Sequence, residues 1–241
     1  MLESLQQGFC QTFVLDNNYM YFVRGIGVTL LVTAFALVVG FLLGVINALI
    51  RSGYDLQQSG RRKNPVLFIL NIIAKIYITV IRGTPTMVQL LIMWFVVWAS
   101  ARADFKNMVI CAILTFGINS GAYVAEIIRS GIMSIDAGQM EAGRSLGLPY
   151  WTTMRSVIIP QAFKNVLPAL GNELITLLKE TSIVTVIGLM DLTKGAMIIQ
   201  SKTYQAMVPY FAIALIYLAM VLILSTLLGK LERRMRSSDN R

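Results

Sequence analysis

The chain has 241 residues, of which 56% are hydrophobic and 14% charged, with a mean hydropathy of +0.68 and a net charge of +9. That much apolar surface exceeds what a single soluble core can hide, so lipid must solvate a large part of it. The positive balance has no soluble basic face on which to meet phosphates, which argues against nucleic acid and makes the charge a marker of membrane topology.

The first twenty residues carry Glu3 and Asp16 and lack a basic stretch followed by a short apolar core, so they do not read as a cleaved signal peptide. A helix needs about 20 apolar residues to cross the hydrocarbon. Ile26 to Ile50 is an uninterrupted uncharged run of that kind, and the first span is placed at about 22–50. The next apolar stretch, Val66 to Ala101, is too long for one ordinary crossing and is interrupted at Arg82-Gly83-Thr84-Pro85.

Basic residues decide how often that stretch crosses, because Lys and Arg accumulate on the cytoplasmic side of short loops. Arg51, Arg61, Arg62 and Lys63 mark one such loop, and Lys230, Arg233, Arg234 and Arg236 mark another. An even number of crossings must separate two points on one face. The stretch therefore counts once, as a broken span at about 66–101, and is followed by spans at about 108–129, 164–190 and 207–229. The expected topology has five transmembrane helices, an outside N-terminus, a cytoplasmic C-terminus and a long cytoplasmic loop at about 130–163. Residues 191–206, with Asp191, Lys194 and Lys202 in near balance, read as an outer loop. The whole chain, 1–241, reads as one all-α polytopic domain with no internal repeat.

Histidine is absent, and Cys10 and Cys111 have neither metal-ligand spacing nor a disulfide pattern. No metal set and no nucleophile–base pair is visible, so catalytic residues and metal ligands are entered as none.

The long loop reads Glu141-Ala142-Gly143-Arg144-Ser145-Leu146-Gly147 and later Val157-Ile158-Ile159-Pro160. A helix is expected from about Asp136 to Leu146, ended by Gly147 and restarted near Pro149, which makes a helix-turn-helix projecting from the membrane. Ala137, Gly138, Ala142 and Gly143 allow close backbone approach, and Glu141 and Arg144 offer charges to a docking partner. An ordered solvated hairpin is the plainer alternative.

This segment resembles the EAA loop of ABC importer permeases, with Gly143 for the third alanine, Val157 for isoleucine and Ile159 for leucine. Arg82-Gly83-Thr84-Pro85, Gly121 to Glu126, Gly138-Gln139 and Lys179-Glu180-Thr181-Ser182 look like the polar amino acid branch of that family. The resemblance runs from Tyr21 to Arg234. It implies a permease subunit of an ATP-driven importer in the prokaryotic cytoplasmic (inner) membrane, carrying a polar amino acid delivered by an extracytoplasmic binding protein. Its implied partners are an ABC ATPase subunit dimer and a second, identical or related, permease. Any ATP and Mg²⁺ would sit on the ATPase, with no cofactor in this chain. Glu141, Ala142, Gly143, Arg144 and Gly147 would couple the chain to that ATPase. A secondary transporter for a small polar solute is the alternative, but it would need more spans and its own coupling-ion site.

Ionisable groups inside spans are costly and point to function by default. Glu173 lies near the middle of the fourth span, and Glu180 with Thr181 and Ser182 forms its densest polar cluster. For Lys179 and Glu180, an intramembrane ion pair competes with substrate contact. Asn119 and Tyr123, one turn apart, line a cavity or pack helices. Glu126 is expected to pair with Arg129 or Lys164. In the break, Thr84 reads as an N-cap and Pro85 as a first helical residue. The freed N–H groups of the new helix would suit a substrate carboxylate, whereas a packing kink is the competing reading. Arg82 reads as a head-group anchor, and Met93 to Trp98 as a lipid-facing band.

Overall fold

The computed structural model describes residues 8–56 and 64–236. Glu3 and the basic residues Arg61, Arg62 and Lys63 lie outside the described residues. No strand occurs among the described residues, and the architecture is all-α.

Asp16 and Asn17, with φ of 50° and 55°, turn the chain into α1, Tyr19–Leu56. Short polar side chains tolerate that left-handed region better than others do. Helix α2, Pro65–Arg82, opens with Asn64 as N-cap, whose side chain accepts from the Val66 N–H at 3.0 Å, and with Pro65 where a missing N–H is harmless. After the break come α3, Thr86–Ile92, and a π-helical continuation over Met93–Val97. Helix α4 is Phe105–Met133. The next two are short, α5 at Ala137–Ser145 and α6 at Tyr150–Thr153. A π turn over Met154–Ile158 then leads into α7, Ile159–Glu180, which ends in a 3-10 turn over Thr181–Ile187. Helices α8, Leu192–Thr203, and α9, Met207–Arg236, complete the chain.

Among the described residues, four stretches are long and apolar enough to cross a membrane: Tyr19–Asp55, Pro65–Arg82, Phe105–Met133 and Met207–Met235. A fifth arises if the bent pair Tyr150–Ile187 and Leu192–Thr203, at 48°, is one span. The segment expected as an outer loop, residues 191–206, is helical over Leu192–Thr203. Asp191 is fully buried and N-caps α8 by accepting the Thr193 and Lys194 N–H groups at 3.0 and 2.8 Å, while Leu192, Ala196 and Ile199 bury the helix's apolar face.

The chain divides into two compact units. The first comprises the described parts of Met1–Leu37, Pro85–Phe116 and Ile175–Ser225. Its main core joins Val32, Leu90, Phe116, Leu177, Val184 and Leu189. Trp94 belongs to this core, with Met93 and Trp98 packed against it. The Met93–Trp98 segment is thus two-sided, with Phe95, Val96 and Val97 outward and the indole of Trp94 inward. The second unit comprises the described parts of Val38–Thr84 and Thr226–Arg241, together with Gly117–Leu174. Its tightest apolar cluster is Ile78, Ala122 and Ala125, flanked by Tyr77 and Ile81.

The expected helix-turn-helix forms within the second unit. Asp136 caps α5 by accepting from the Gly138 N–H at 2.6 Å. At the other end Gly147 takes φ +78°, with Leu148 N–H bonded to Gly143 O and Gly147 N–H to Arg144 O, both at 3.0 Å. These two bonds form a Schellman stop, whose left-handed residue is usually glycine. Gly143, the residue departing from the Glu-Ala-Ala pattern, is buried against Thr153 of α6, and an added Cβ would collide with that threonine's side chain.

Candidate functional site

The residues expected to contact substrate fall in both units. Pro85, Glu180, Thr181 and Ser182 belong to the first, and Thr84, Asn119, Tyr123 and Glu173 to the second.

In the first unit the chain restarts with Pro85 in an extended conformation, φ −64° and ψ 136°, as the N-cap of α3. The first intrahelical bond of α3 runs from the Gln89 N–H to Pro85 O at 3.1 Å, so the amides of Thr86, Met87 and Val88 precede it. Glu180, half-buried at the end of α7, faces this restart, and the Thr86 hydroxyl donates to its Oε2 at 3.5 Å. Acceptor and donors thus stand side by side: a carboxylate at the positive end of a short helix. An ammonium group suits the first, and a carboxylate suits the free N–H groups. Thr181 is fully buried with its hydroxyl donated to Leu178 O at 2.7 Å, so that side chain is engaged by its own helix. Ser182 is half-buried. Lys179 is exposed, and no ion pair joins it to Glu180 among the described residues.

In the second unit the Thr84 hydroxyl donates backwards to Val80 O at 2.9 Å. It therefore closes the end of α2 and does not N-cap α3, because the orphan carbonyls of a helix C-terminus compete for the same donor. Glu173 accepts from the Ser120 hydroxyl at 2.8 Å, which ties α7 to α4. Asn119 is buried at 3% exposure. Tyr123 lies under Arg82, whose guanidinium carbon is 5.2 Å from the ring centroid, so Arg82 stacks on an aromatic face of its own fold.

Glu126 does pair with Arg129, at 2.6 Å, and it also receives Arg51 at 2.8 Å, while Arg129 reaches Asp55 at 3.2 Å. Sequence reasoning had no access to Ser120, Arg51 and Asp55 as partners, since each lies more than fifty positions from the residue it meets. Thr86 was within reach, as the hydroxyl residue immediately after a helix-opening proline.

The loop residues Glu141, Ala142, Arg144 and Gly147 are all exposed, beside Leu146 at 80% and Trp151 at 76% exposure. A polar helix capped at both ends is thus followed by uncovered Leu and Trp side chains.

Residues 65–237 match the family described as "Binding-protein-dependent transport system inner membrane component". The chain belongs to that family. It is similar to the arginine transport system permease protein ArtQ of Bacillus subtilis (strain 168), 39% identical over 91% of this chain and 94% of that one. It is also similar to the glutamine transport system permease protein GlnP of Escherichia coli, 36% identical over 89% and 92%. A solved structure described as an amino acid ABC transporter with histidines superposes with a TM-score of 0.77 at 44% identity, covering 90% of this chain and 94% of that one. An inward-facing MetNI methionine ABC transporter shares the fold, with a TM-score of 0.71 at 19% identity and coverage of 90% and 96%.

Proposed function

We propose that this chain is the permease subunit of an ATP-driven importer for a polar amino acid. The observation that carries the substrate class is Glu180 set against the restart of α3, a carboxylate next to free backbone N–H groups. A zwitterion matches both. A solute without a cationic group offers Glu180 no ion-pair partner. The relatives' names, arginine and glutamine permeases, support the class.

In this reading the N-terminus lies outside and the C-terminus in the cytoplasm, so that Lys230, Arg233 and Arg234 at the end of α9 meet the cytoplasmic face. The α5–α6 hairpin then projects into the cytoplasm and docks into one subunit of an ATPase dimer, which binds ATP and Mg²⁺. A second permease, identical or related, completes the pathway, and an extracytoplasmic binding protein delivers the amino acid. ATP-driven closure of the ATPases moves the docked hairpins, and the spans alternate between inward and outward access.

The test is reconstitution in vesicles with the ATPase and binding protein, measuring ATP-dependent amino acid uptake. Glu141→Lys or Gly147→Asp should leave the spans folded and abolish uptake while ATP hydrolysis persists. Normal uptake by either variant in an assembled complex would remove the hairpin from the coupling role.

A further inference from the structure

Helix α1 lies far from the hairpin in sequence, yet within the second unit its later half is fastened to α4, the helix that leads into the hairpin. Arg51 and Asp55 of α1 meet Glu126 and Arg129 of α4 through bridges of 2.8 and 3.2 Å, and Glu126 and Arg129 close the chain at 2.6 Å. The four charges alternate and cancel, and their side chains keep only 17–28% exposure. Below these bridges the backbones touch, since a Cβ on Gly44 of α1 would collide with Val124.

The same helix end is held on its other side. A Cβ on Gly131 of α4 would collide with Val166 of α7, and Asn165 of α7 donates to the Ser134 hydroxyl at 3.1 Å, immediately after α4 ends. Asp136, the cap of α5, lies two positions further on.

We infer that Arg51, Asp55, Glu126 and Arg129 are positioning residues that make the end of α1 part of the moving body of the hairpin, so that force entering at α5 is delivered to α1. The inference rests on the importer reading above. It assigns these four side chains to transmission and none of them to substrate. Ion pairs suit that role because the two interhelical bridges, linked through the Glu126–Arg129 pair, fix the register of α1 against α4 in addition to the close packing at Gly44.

The experiment uses the complete transporter in lipid, with spin labels at Gly53→Cys, a position with open space around it, and at exposed Ser145→Cys, in a Cys10→Ser background. In the otherwise unaltered protein the label-to-label distance should stay narrow and unchanged between nucleotide-free and ATP-trapped states. Glu126→Gln, which weakens both of its bridges, should broaden it in both states. It should also lower the amino acid transported per ATP hydrolysed by roughly five-fold, the low end of ordinary coupling energies. Asp55→Asn removes a single bridge at the more exposed end and should show a smaller effect of the same sign, which keeps the test open if Glu126→Gln does not assemble. A distance in the unaltered protein that changes with nucleotide overturns the inference, as does a variant that melts earlier yet transports the same amount per ATP. A complex that takes up no amino acid defeats the importer reading, whereas the nucleotide-free distance needs no transport: if Glu126→Gln and Asp55→Asn leave it as narrow as in the unaltered protein, the four side chains do not hold α1 to the hairpin.

Discussion

Glu126 and Glu180 are both acids on apolar helices, and their surroundings are opposite. Glu126 is held by two arginines at 2.8 and 2.6 Å. Glu180 has one hydroxyl at 3.5 Å and the open end of a seven-residue helix. A carboxylate with saturated partners has nothing left to offer a ligand, while one with a single long contact at a helix N-terminus keeps its lone pairs free. The difference separates an acid that fastens helices from the one we propose meets the amino acid, although the residue type and the apolar context are the same.

The sharpest way to break that comparison is Glu180→Gln, which should weaken amino acid binding to the assembled transporter by about ten- to a hundred-fold, the usual worth of a hydrogen bond to a charged group. Binding measured on the separate receptor should not change, and the melting temperature in detergent should hold. Wild-type affinity with reduced stability would move Glu180 into the structural class.

Next in size, Glu126→Ala should destabilise the folded chain by roughly 2 kcal/mol, less than for a fully buried pair because all four side chains retain some contact with solvent. Thermal unfolding in detergent reads this directly. An unaltered melting temperature would show that the two arginines find other partners.

The smallest expected effect is Glu173→Gln, because an amide can still accept from the Ser120 hydroxyl. A loss of about 1 kcal/mol or less is expected, visible in unfolding but not in substrate affinity. An affinity loss matching that of Glu180→Gln would instead place Glu173 among the substrate contacts.

Legibility in the sequence followed how local each feature is. The hairpin was readable because Asp136, Gly147 and Pro149 act within a few residues of themselves, and the structure uses Asp136 and Gly147 as caps and restarts the chain at Pro149. The broken second stretch was readable for the same reason, since Pro85 cannot continue α2. The direction of Thr84 was not, because a hydroxyl between two helix ends can serve either, and the carbonyl of Val80 won. Helix α8 escaped because its polarity resembles a loop, although Asp191 followed by Leu192 and Thr193 is a capping signal in its own right. The partners of Glu126 escaped for a different reason: pattern and period say which face of a helix is apolar, but not which residue of a distant helix arrives opposite a charge.

The uncovered Trp151 gives the α5–α6 hairpin an optical handle. Of the three tryptophans, Trp94 is buried in a core and Trp98 is packed against it, so both already emit from apolar surroundings, whereas Trp151 is 76% exposed. The red edge of the chain's intrinsic fluorescence therefore belongs to the hairpin. Addition of a partner that covers α6 should shift that edge to the blue and shield it from iodide, with no label attached and with the other two indoles as an internal reference.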